Sequence, residues 1–159
     1  MSEFTEAMAQ VAGAVSVVTV RDGRDDVGTT VTTFASVSLD PPLVMVSLAS
    51  GGYLNELLLR HDRWAVSVLS AEQKAIASRF ATPGRPGARL LLAGTAHHRG
   101  ELSGALVVEK GVTALEAETT QVVPAGDHTL YLAHVLAVDY VDAATVPLVR
   151  LRGRYRPVG

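Results

Sequence analysis

Two segments of this chain carry side chains whose types and spacing could do chemistry. Residues 28–48 (GTTVTTFASVSLDPPLVMVSL) crowd hydroxyl side chains onto two expected strands that are separated by Asp40-Pro41-Pro42. Gly126-Asp127-His128 places one titratable ring at a tight turn before an apolar strand. An imidazole can donate a hydrogen bond or a proton near neutral pH. Together the two segments predict a pocket in which a hydroxyl-lined wall meets a histidine.

The hydroxyl residues of the first segment have two interpretations. Thr29, Thr30, Thr32 and Thr33 fall within five consecutive positions, and threonine suits the solvent-facing side of an ordinary strand. Alternation along a strand, however, turns neighbouring side chains to opposite faces, so that one pair points inward or toward a partner. Small hydroxyl side chains supply neutral donors and acceptors, and they let a flat, polyhydroxylated ligand approach the backbone amides. The threonines alone leave both interpretations open.

Two further features could hold a phosphate. Residues 47–52 run from a strand into a glycine turn before a helix, and the free amides at a helix start attract anions. Arg79, Arg85 and Arg89 carry guanidinium forks that pair well with phosphate oxygens, although each of them could equally solvate a loop. We expect no metal site, because no metal-ligand spacing with carboxylates is found at His61, His97, His98 or His134.

Hydrophobic periodicity assigns these segments to short strands and short helices. We expect helices over 3–11, around 54–58 and over 70–80. We expect strands over 14–20, 27–34, 37–40, 43–48, 64–69, 107–108, 112–123 and 129–141, and a final ribbon over 147–156. The turn between the first two strands should be longer than two residues, and residues 82–89 should form a lid or binding loop. The pattern predicts a mainly β fold with a few short helices, a closed or partly closed antiparallel barrel, as one domain over residues 1–159.

Composition narrows the class of protein. Apolar residues make up 48% of the chain, the net charge is −2, and cysteine is absent from the sequence. These values indicate a folded domain without disulfides or a thiolate metal site, and without the basic surface of a nucleic-acid-binding protein. No apolar run reaches the length of about 20 residues that a bilayer requires, and no signal peptide is evident, so the sequence predicts a cytoplasmic protein. The apolar surplus indicates a subunit interface.

The sequence resembles the flavin reductase family, whose members have the FMN-binding split barrel. The resemblance extends from Ala7-Met8 to Gly153-Arg154-Tyr155. It centres on residues 30–38, TVTTFASVS, which are similar to the family's T-x-S-F-x-S-x-S stretch. Thr33 stands where a serine usually precedes the phenylalanine, and it keeps the hydroxyl. The resemblance implies an antiparallel split β barrel with Greek-key topology.

The resemblance also implies the roles of individual residues. His128 would hold the nicotinamide carboxamide and Asp127 would orient its ring or cap the turn, so both are assigned to catalysis. The flavin would be bound by Thr30, Val31, Thr32, Thr33, Phe34, Ser36, Ser38, Ser47, Leu48, Ala49, Ser50, Arg79, Phe80, Ala81 and Tyr155. Hydride passes directly from nicotinamide C4 to flavin N5, so the protein has to stack the two rings at reacting distance.

The chain departs from the family's pattern near the expected phosphate site. Tyr53 and Asn55 stand where the family often has an extra serine or asparagine. The lysine–phenylalanine pair that relatives carry in the loop after Phe80-Ala81 is missing. Relatives also have a tyrosine after Pro147-Leu148, where this chain has Val149-Arg150. These departures leave open which residues bind the flavin phosphate.

The resemblance predicts an NAD(P)H-dependent flavin reductase that reduces FMN or FAD with NADH or NADPH. The reduced flavin would diffuse to a separate flavin-dependent monooxygenase, and the reductase would be a homodimer. The sequence leaves open which flavin and which nicotinamide are used, and whether the flavin is retained between turnovers. The main alternative is a non-catalytic split-barrel carrier or sensor that binds flavin or haem. An oxidase of a pyridoxine-type phosphate and a purely structural barrel are further alternatives.

Overall fold

The computed structural model describes residues 2–159 of the chain. The strands are β1 (Gly13–Ala14), β2 (Ser16–Asp22), β3 (Asp25–Val31), β4 (Ala35–Leu39), β5 (Pro42–Ala49), β6 (Arg63–Val68), β7 (His97–Arg99), β8 (Leu106–Val108), β9 (Thr113–Ala125), β10 (His128–Val141), β11 (Leu148–Leu151) and β12 (Arg154–Pro157). The helices are α1 (Glu3–Met8), α2 (Tyr53–Arg60), α3 (Lys74–Ala81) and α4 (Ala88–Leu91), and a 3₁₀ turn at Ala71–Gln73 precedes α3. Among the helices in this part of the chain, none has both the length and the apolar character needed to cross a membrane.

The structure corrects the predicted length of the first hairpin turn. Asp22 pairs with Asp25, so the turn consists of Gly23 and Arg24 alone, and Gly23 adopts a φ of 59°. The aspartates indicated a loop because aspartate is rare in strands, but the pairing of the neighbouring valines extends the ladder through them. Two helices also differ from the prediction, since α1 is shorter and α4 begins at Ala88 inside the expected loop.

The main sheet has seven antiparallel strands in the order β3-β2-β6-β9-β10-β5-β4. Its edge strands, β3 and β4, do not pair with each other within the described residues, so the barrel is split on this side. Residues 32–34 connect the two edges, and the Thr33 hydroxyl donates a 2.9 Å hydrogen bond to the Ser47 carbonyl of β5. The predicted fold class, mainly β with few short helices in a split antiparallel barrel, is confirmed.

Two hydrophobic clusters hold the helices against the sheet. Trp64 and Tyr131 are fully buried in the first cluster together with Leu57 of α2. Phe80 of α3 is fully buried in the second cluster, and it packs there with Leu148 of β11. Burying one large apolar side chain contributes about 1.5–3 kcal/mol, so these anchors hold α2 and α3 against the strands. Val18 of β2 belongs to the first cluster and Val17 to the second, so the two helices pack on opposite faces of this strand.

Gly28 is a point of close approach between β3 and α3. A Cβ atom added at this position would lie 2.9 Å from Phe80 Cε1 and 3.0 Å from the Val18 carbonyl oxygen. Such separations are shorter than real Cβ contacts, and one of the two opposing groups is backbone. The packing of Phe80 against the strand therefore requires a residue without a side chain.

We expect Gly28→Ala to lower the free energy of unfolding by about 1–3 kcal/mol, because the methyl group overpacks the interface between strand and helix. Denaturant titration of the variant measures this change. Gly51→Ala is the matched control, since a Cβ there meets nothing within 4 Å. Equal stability of the two variants would contradict the packing argument.

His98 connects the small sheet of β7 and β8 to the end of β10. Its Nε2 lies 2.9 Å from an Asp139 carboxylate oxygen, and its Nδ1 lies 3.1 Å from Glu109 Oε2. The hydrogen bond with Asp139 is the main cause that raises the pKa of His98 above its ordinary value, and Glu109 raises it further. The folded state therefore favours the protonated imidazole.

This pKa shift predicts a pH-dependent stability. A histidine with a raised pKa in the folded state stabilises the fold fully below its unfolded pKa, and this contribution is lost as the pH rises through the folded pKa. We expect the wild-type chain to exceed His98→Gln in free energy of unfolding by more at about pH 5.5 than at about pH 8.5. If the difference in free energy of unfolding between the two proteins is the same at both pH values, the titration of His98 does not contribute to the stability of the fold.

Candidate functional site

The two segments that the sequence singles out meet at neighbouring strand ends. In the antiparallel pair β5–β10, His128 lies opposite Ala49 and Thr129 lies opposite Leu48. The Ser50 amide donates a 2.9 Å hydrogen bond to the Asp127 carbonyl. The Ser50 and Thr129 hydroxyls are also 2.9 Å apart. Pairing of β5 with β10 thus brings the histidine turn directly onto the end of the hydroxyl-rich segment.

The turn itself fixes the orientation of the histidine ring. Gly126 adopts a φ of 63°, and the two-residue turn pairs Ala125 with His128. His128 Nδ1 lies 2.8 Å from Asp127 Oδ1, and this hydrogen bond is the main cause that lowers the pKa of the Asp127 carboxyl. The His128 side chain is 47% exposed. Its other nitrogen, Nε2, has no hydrogen-bond partner within residues 2–159, so it is free to bind a ligand.

Two hydroxyls of the wall are engaged in holding the structure together. The Thr30 hydroxyl donates a 2.7 Å hydrogen bond to the Ala77 carbonyl of α3. The Thr33 hydroxyl donates to the Ser47 carbonyl and accepts a 3.1 Å hydrogen bond from the Ser47 amide. These bonds tie β3 to α3 and the segment before β4 to β5. Neither hydroxyl is a spare donor for a ligand in this arrangement.

The remaining polar residues of the wall present unengaged hydroxyls. Thr32 and Ser36 are exposed and Ser38 is half-buried, and no hydrogen bond from their side chains is found in the described part of the chain. Val31 is buried and Phe34 is half-buried against the first core cluster. Val31 and Phe34 thus pack toward the core, whereas the hydroxyls of Thr32 and Ser36 are open to solvent. Strand β4 does not have an apolar buried face, because Val37 and Leu39 are exposed as well.

The other predicted flavin contacts lie on separate elements. Phe80 is fully buried in the second core cluster, while Arg79 and Ala81 are exposed at the end of α3. Tyr155 of β12 is half-buried beside the same cluster, and the Arg150 guanidinium carbon lies 4.9 Å from its ring centroid. Within residues 2–159 no hydrogen bond or ion pair joins any of these four predicted residues to the His128 turn. Hydrogen bonds thus join the Ser47–Ser50 segment to the Asp127-His128 turn, and the roles of Arg79, Phe80, Ala81 and Tyr155 at the flavin stay predictions.

A cavity of about 650 Å³ opens beside the strand ends. It shares Leu48 and Ala49 with the predicted site, and Thr32, Ser36 and Ser38 lie outside its lining. Gly52, Arg85 and Arg89 are residues that the sequence proposes for a phosphate, Gly84, Pro86 and Gly87 lie in the expected binding loop, and Gly28 and Thr29 belong to the hydroxyl-rich segment. The sequence assigns no site role to the rest of the lining, which consists of Arg24, Asp25, Asp26, Val27, Tyr53, Leu54, Asn55 and Leu90. Two features of the sequence indicate parts of this lining: the glycine turn before α2, which includes Gly52, and the proline- and glycine-rich loop after α3, which includes residues 84–87.

Arginines give this cavity positive charge. Arg85 Nε donates a 2.9 Å hydrogen bond to the Gly28 carbonyl, and burial lowers the pKa of this guanidinium. Arg89 Nε lies 3.4 Å from Asp26 Oδ2. Of the three arginines that the sequence proposed for a phosphate, Arg85 and Arg89 line the cavity, whereas Arg79 does not. No cluster of three or more metal-binding side chains occurs in the described chain.

The start of α2 faces the same cavity with unpaired amides. Its N-cap, Gly52, has no side chain to accept a hydrogen bond from the first turn. Asn55 Nδ2 instead donates a 3.0 Å bond back to the Ser50 carbonyl, and the buried Tyr131 hydroxyl donates to both the carbonyl and the Oδ1 of Asn55. This network fixes the helix start relative to β10. The first-turn amides remain available to an anion.

Comparison with known proteins gives consistent matches. Residues 8–159 match the family model described as flavin reductase like domain. The NADH-dependent FMN reductase AsuE2 of Streptomyces nodosus subsp. asukaensis is 40% identical over 157 residues, which cover 97% of this chain and 83% of that protein.

Solved structures agree with the sequence matches. The NADH:FAD oxidoreductase SgcE6 of Streptomyces globisporus C-1027, solved in complex with NAD and FAD fragments, has a TM-score of 0.90 and 29% identity, covering 98% of this chain and 91% of that one. BorF, the flavin reductase component of a bacterial two-component tryptophan halogenase, has a TM-score of 0.90 and 29% identity. The match covers 98% of this chain and 96% of BorF.

The buried network at α2 gives a stability prediction. We expect Tyr131→Phe to lower the free energy of unfolding by about 1–3 kcal/mol, because the Oδ1 of buried Asn55 no longer receives a hydrogen bond. Tyr53→Phe is the control, since Tyr53 is 51% exposed. Chemical denaturation of both variants measures the difference. If Tyr131→Phe is as stable as the control, the network does not hold the helix start.

Proposed function

We propose, because the chain belongs to the family of flavin reductase like domains, that it passes hydride from NADH or NADPH to FMN or FAD. The observation that carries this proposal is the 2.9 Å hydrogen bond from the Ser50 amide to the Asp127 carbonyl. It joins the end of the hydroxyl-rich segment to the histidine turn. A ligand bound along the first segment therefore has His128 beside it.

The residues present fit a flavin. Thr32, Ser36 and Ser38 offer neutral hydroxyls to a polar ring and a polyhydroxylated chain. The open amides at the start of α2 and the guanidinium of Arg85 suit the phosphate, which is anionic. The cavity of about 650 Å³ lies in the range of small-molecule sites and, because Thr32, Ser36 and Ser38 are outside its lining, would take the phosphate end of the flavin. When bound, the flavin supplies the hydride acceptor and the nicotinamide supplies the hydride donor.

Asp127 gives His128 a defined role toward the nicotinamide. An ionised carboxylate only accepts hydrogen bonds, so the contact at 2.8 Å keeps the proton of a neutral imidazole on Nδ1. The lone pair of Nε2 can then accept an N–H from a carboxamide. His128 thus orients the nicotinamide without taking part in proton transfer, and the gain in rate comes from alignment of the two rings.

We further propose that the reductase forms a homodimer and serves a flavin-dependent monooxygenase. In one chain the wall of Thr32 and Ser36 is open to solvent, and the adjoining edge strand β4 exposes Val37 and Leu39 at 48% and 89%. A second copy over this edge would cover the apolar side chains and enclose the flavin. BorF, a reductase component of a two-component system, supports a separate enzyme as recipient of the reduced flavin. The single domain over residues 1–159 and the cytoplasmic location remain predictions of the sequence.

Anaerobic bleaching tests the proposed function. We expect the protein with bound flavin to lose its yellow absorbance rapidly after NADH or NADPH is added, in a stopped-flow spectrophotometer. The four combinations of FMN or FAD with NADH or NADPH identify the preferred pair. A carrier or sensor would bind flavin and keep its colour with both nicotinamides, and that outcome would refute the proposal.

His128→Ala tests the positioning role. We expect hydride transfer to slow by about ten- to a thousandfold, because the nicotinamide is no longer held in the reacting geometry. His134→Gln, at the other histidine of β10, is the matched control and should leave the rate unchanged. Single-turnover bleaching over a range of nicotinamide concentrations separates the rate from the affinity. An unchanged rate together with an unchanged affinity in His128→Ala would exclude the residue from the mechanism.

A further inference from the structure

A second, smaller cavity adjoins the first one. It has a volume of about 280 Å³ and is lined by Arg21, Gly23, Arg24, Asp26, Arg89 and Arg99. Arg24, Asp26 and Arg89 also line the larger cavity, so the two spaces share a wall. Four guanidinium groups thus surround a small concave space in a chain whose net charge is −2.

Asp26 organises these arginines. Its side chain is only 2% exposed, and Arg99 binds it with both arms of the fork, at 2.8 Å to Oδ1 and 3.1 Å to Oδ2. Arg89 Nε approaches Oδ2 at 3.4 Å. Both carboxylate oxygens are therefore engaged, and the buried charge is compensated by Arg99. Asp26 holds the arginines in place, and its single negative charge offsets one of the four guanidinium charges around the small cavity.

The remaining positive charge is not neutralised within the small cavity. Arg21 and Arg24 are exposed, and the Arg89 side chain is 65% exposed. Arg21 Nε donates to the Gly23 carbonyl at 3.2 Å, and Arg89 donates to the Arg24 carbonyl at 3.1 Å in addition to its 3.4 Å contact with Asp26. Asp25 lines only the larger cavity. A concave surface with several guanidinium forks and one engaged carboxylate favours phosphate oxygens.

We propose that the small cavity is a second phosphate-binding subsite, which takes the second phosphate of a flavin dinucleotide. This inference rests on the proposed function, in which the larger cavity receives the first flavin phosphate. FMN has one phosphate and leaves the subsite without an occupant, whereas FAD has a second phosphate that would occupy the small cavity beside the shared residues Arg24, Asp26 and Arg89. The chain therefore binds FAD more tightly than FMN, and Arg21 contributes to that preference.

Titration of the wild-type protein and of Arg21→Gln with FAD and with FMN tests the subsite. Arg21 lines the small cavity and not the large one, so it can be changed without altering the first phosphate site. We expect Arg21→Gln to weaken FAD binding by roughly tenfold, as for the loss of one charge-assisted hydrogen bond, and to leave FMN binding unchanged. Arg156→Gln, an exposed arginine of β12, is the matched control and should change neither affinity.

Arg24→Gln is the second variant and should also weaken FAD binding more than FMN binding. Equal effects of Arg21→Gln on FAD and FMN, or no effect on either, would overturn the subsite. A loss of NADPH affinity relative to NADH with unchanged FAD binding would also overturn it, because the arginines would then serve the nicotinamide. Normal FMN bleaching alongside any of these outcomes leaves the proposed function intact, whereas failure of bleaching with both flavins refutes that function itself.

Discussion

The antiparallel pairing of β5 with β10 is the constraint on which the site depends. It sets His128 opposite Ala49 and closes the contact between the Ser50 amide and the Asp127 carbonyl. This pairing is long-range in sequence, and it joins the early segment to the late turn by a continuous ladder of seven residue pairs. Helix α2 then depends on the same pair, because Tyr131 of β10 fixes Asn55 in its first turn. Loss of this register would separate the wall, the turn and the helix start together.

The hydroxyl residues of the wall divide into structural and free groups. Thr30 and Thr33 have their hydroxyls bonded to backbone carbonyls of α3 and β5, where they replace strand pairing that the split barrel lacks. Thr32 and Ser36 have exposed side chains on the open face. The segment from Thr30 to Ser36 therefore stabilises the split through two of its hydroxyls and leaves the hydroxyls of Thr32 and Ser36 open to a ligand.

Much of the fold and part of the site could be predicted from the sequence. The Gly126-Asp127 turn, the break at Asp40-Pro41-Pro42 and the helix after Gly51-Gly52 are all local features with strong residue preferences, and each appears where expected. The first hairpin turn is shorter than the sequence predicts. The pairing of Asp22 with Asp25 depends on the neighbouring strand residues and not on the aspartates themselves.

The lining of the cavities could not be predicted in the same way. Asp26 is an ordinary turn residue in the sequence, and its burial follows only from contacts with Arg99, which lies far along the chain. Phe80 was placed at the flavin by family resemblance, yet its environment depends on Gly28 across the interface.

The alternation of side chains along β10 limits which insertions this fold can accept. Successive residues of a strand face opposite sides, so a single residue inserted into β10 between His128 and Tyr131 would either turn His128 to the other face or reverse every residue that follows until a bulge restored the register. Tyr131 and Ala133 are fully buried on the inner face, and such a reversal would expose them. The burial of Tyr131 and Ala133 therefore determines the face of the sheet on which the His128 imidazole lies. Substitutions in the loops around the cavities can therefore change which ligand is bound, whereas the position of His128 is fixed by the buried residues of the same strand.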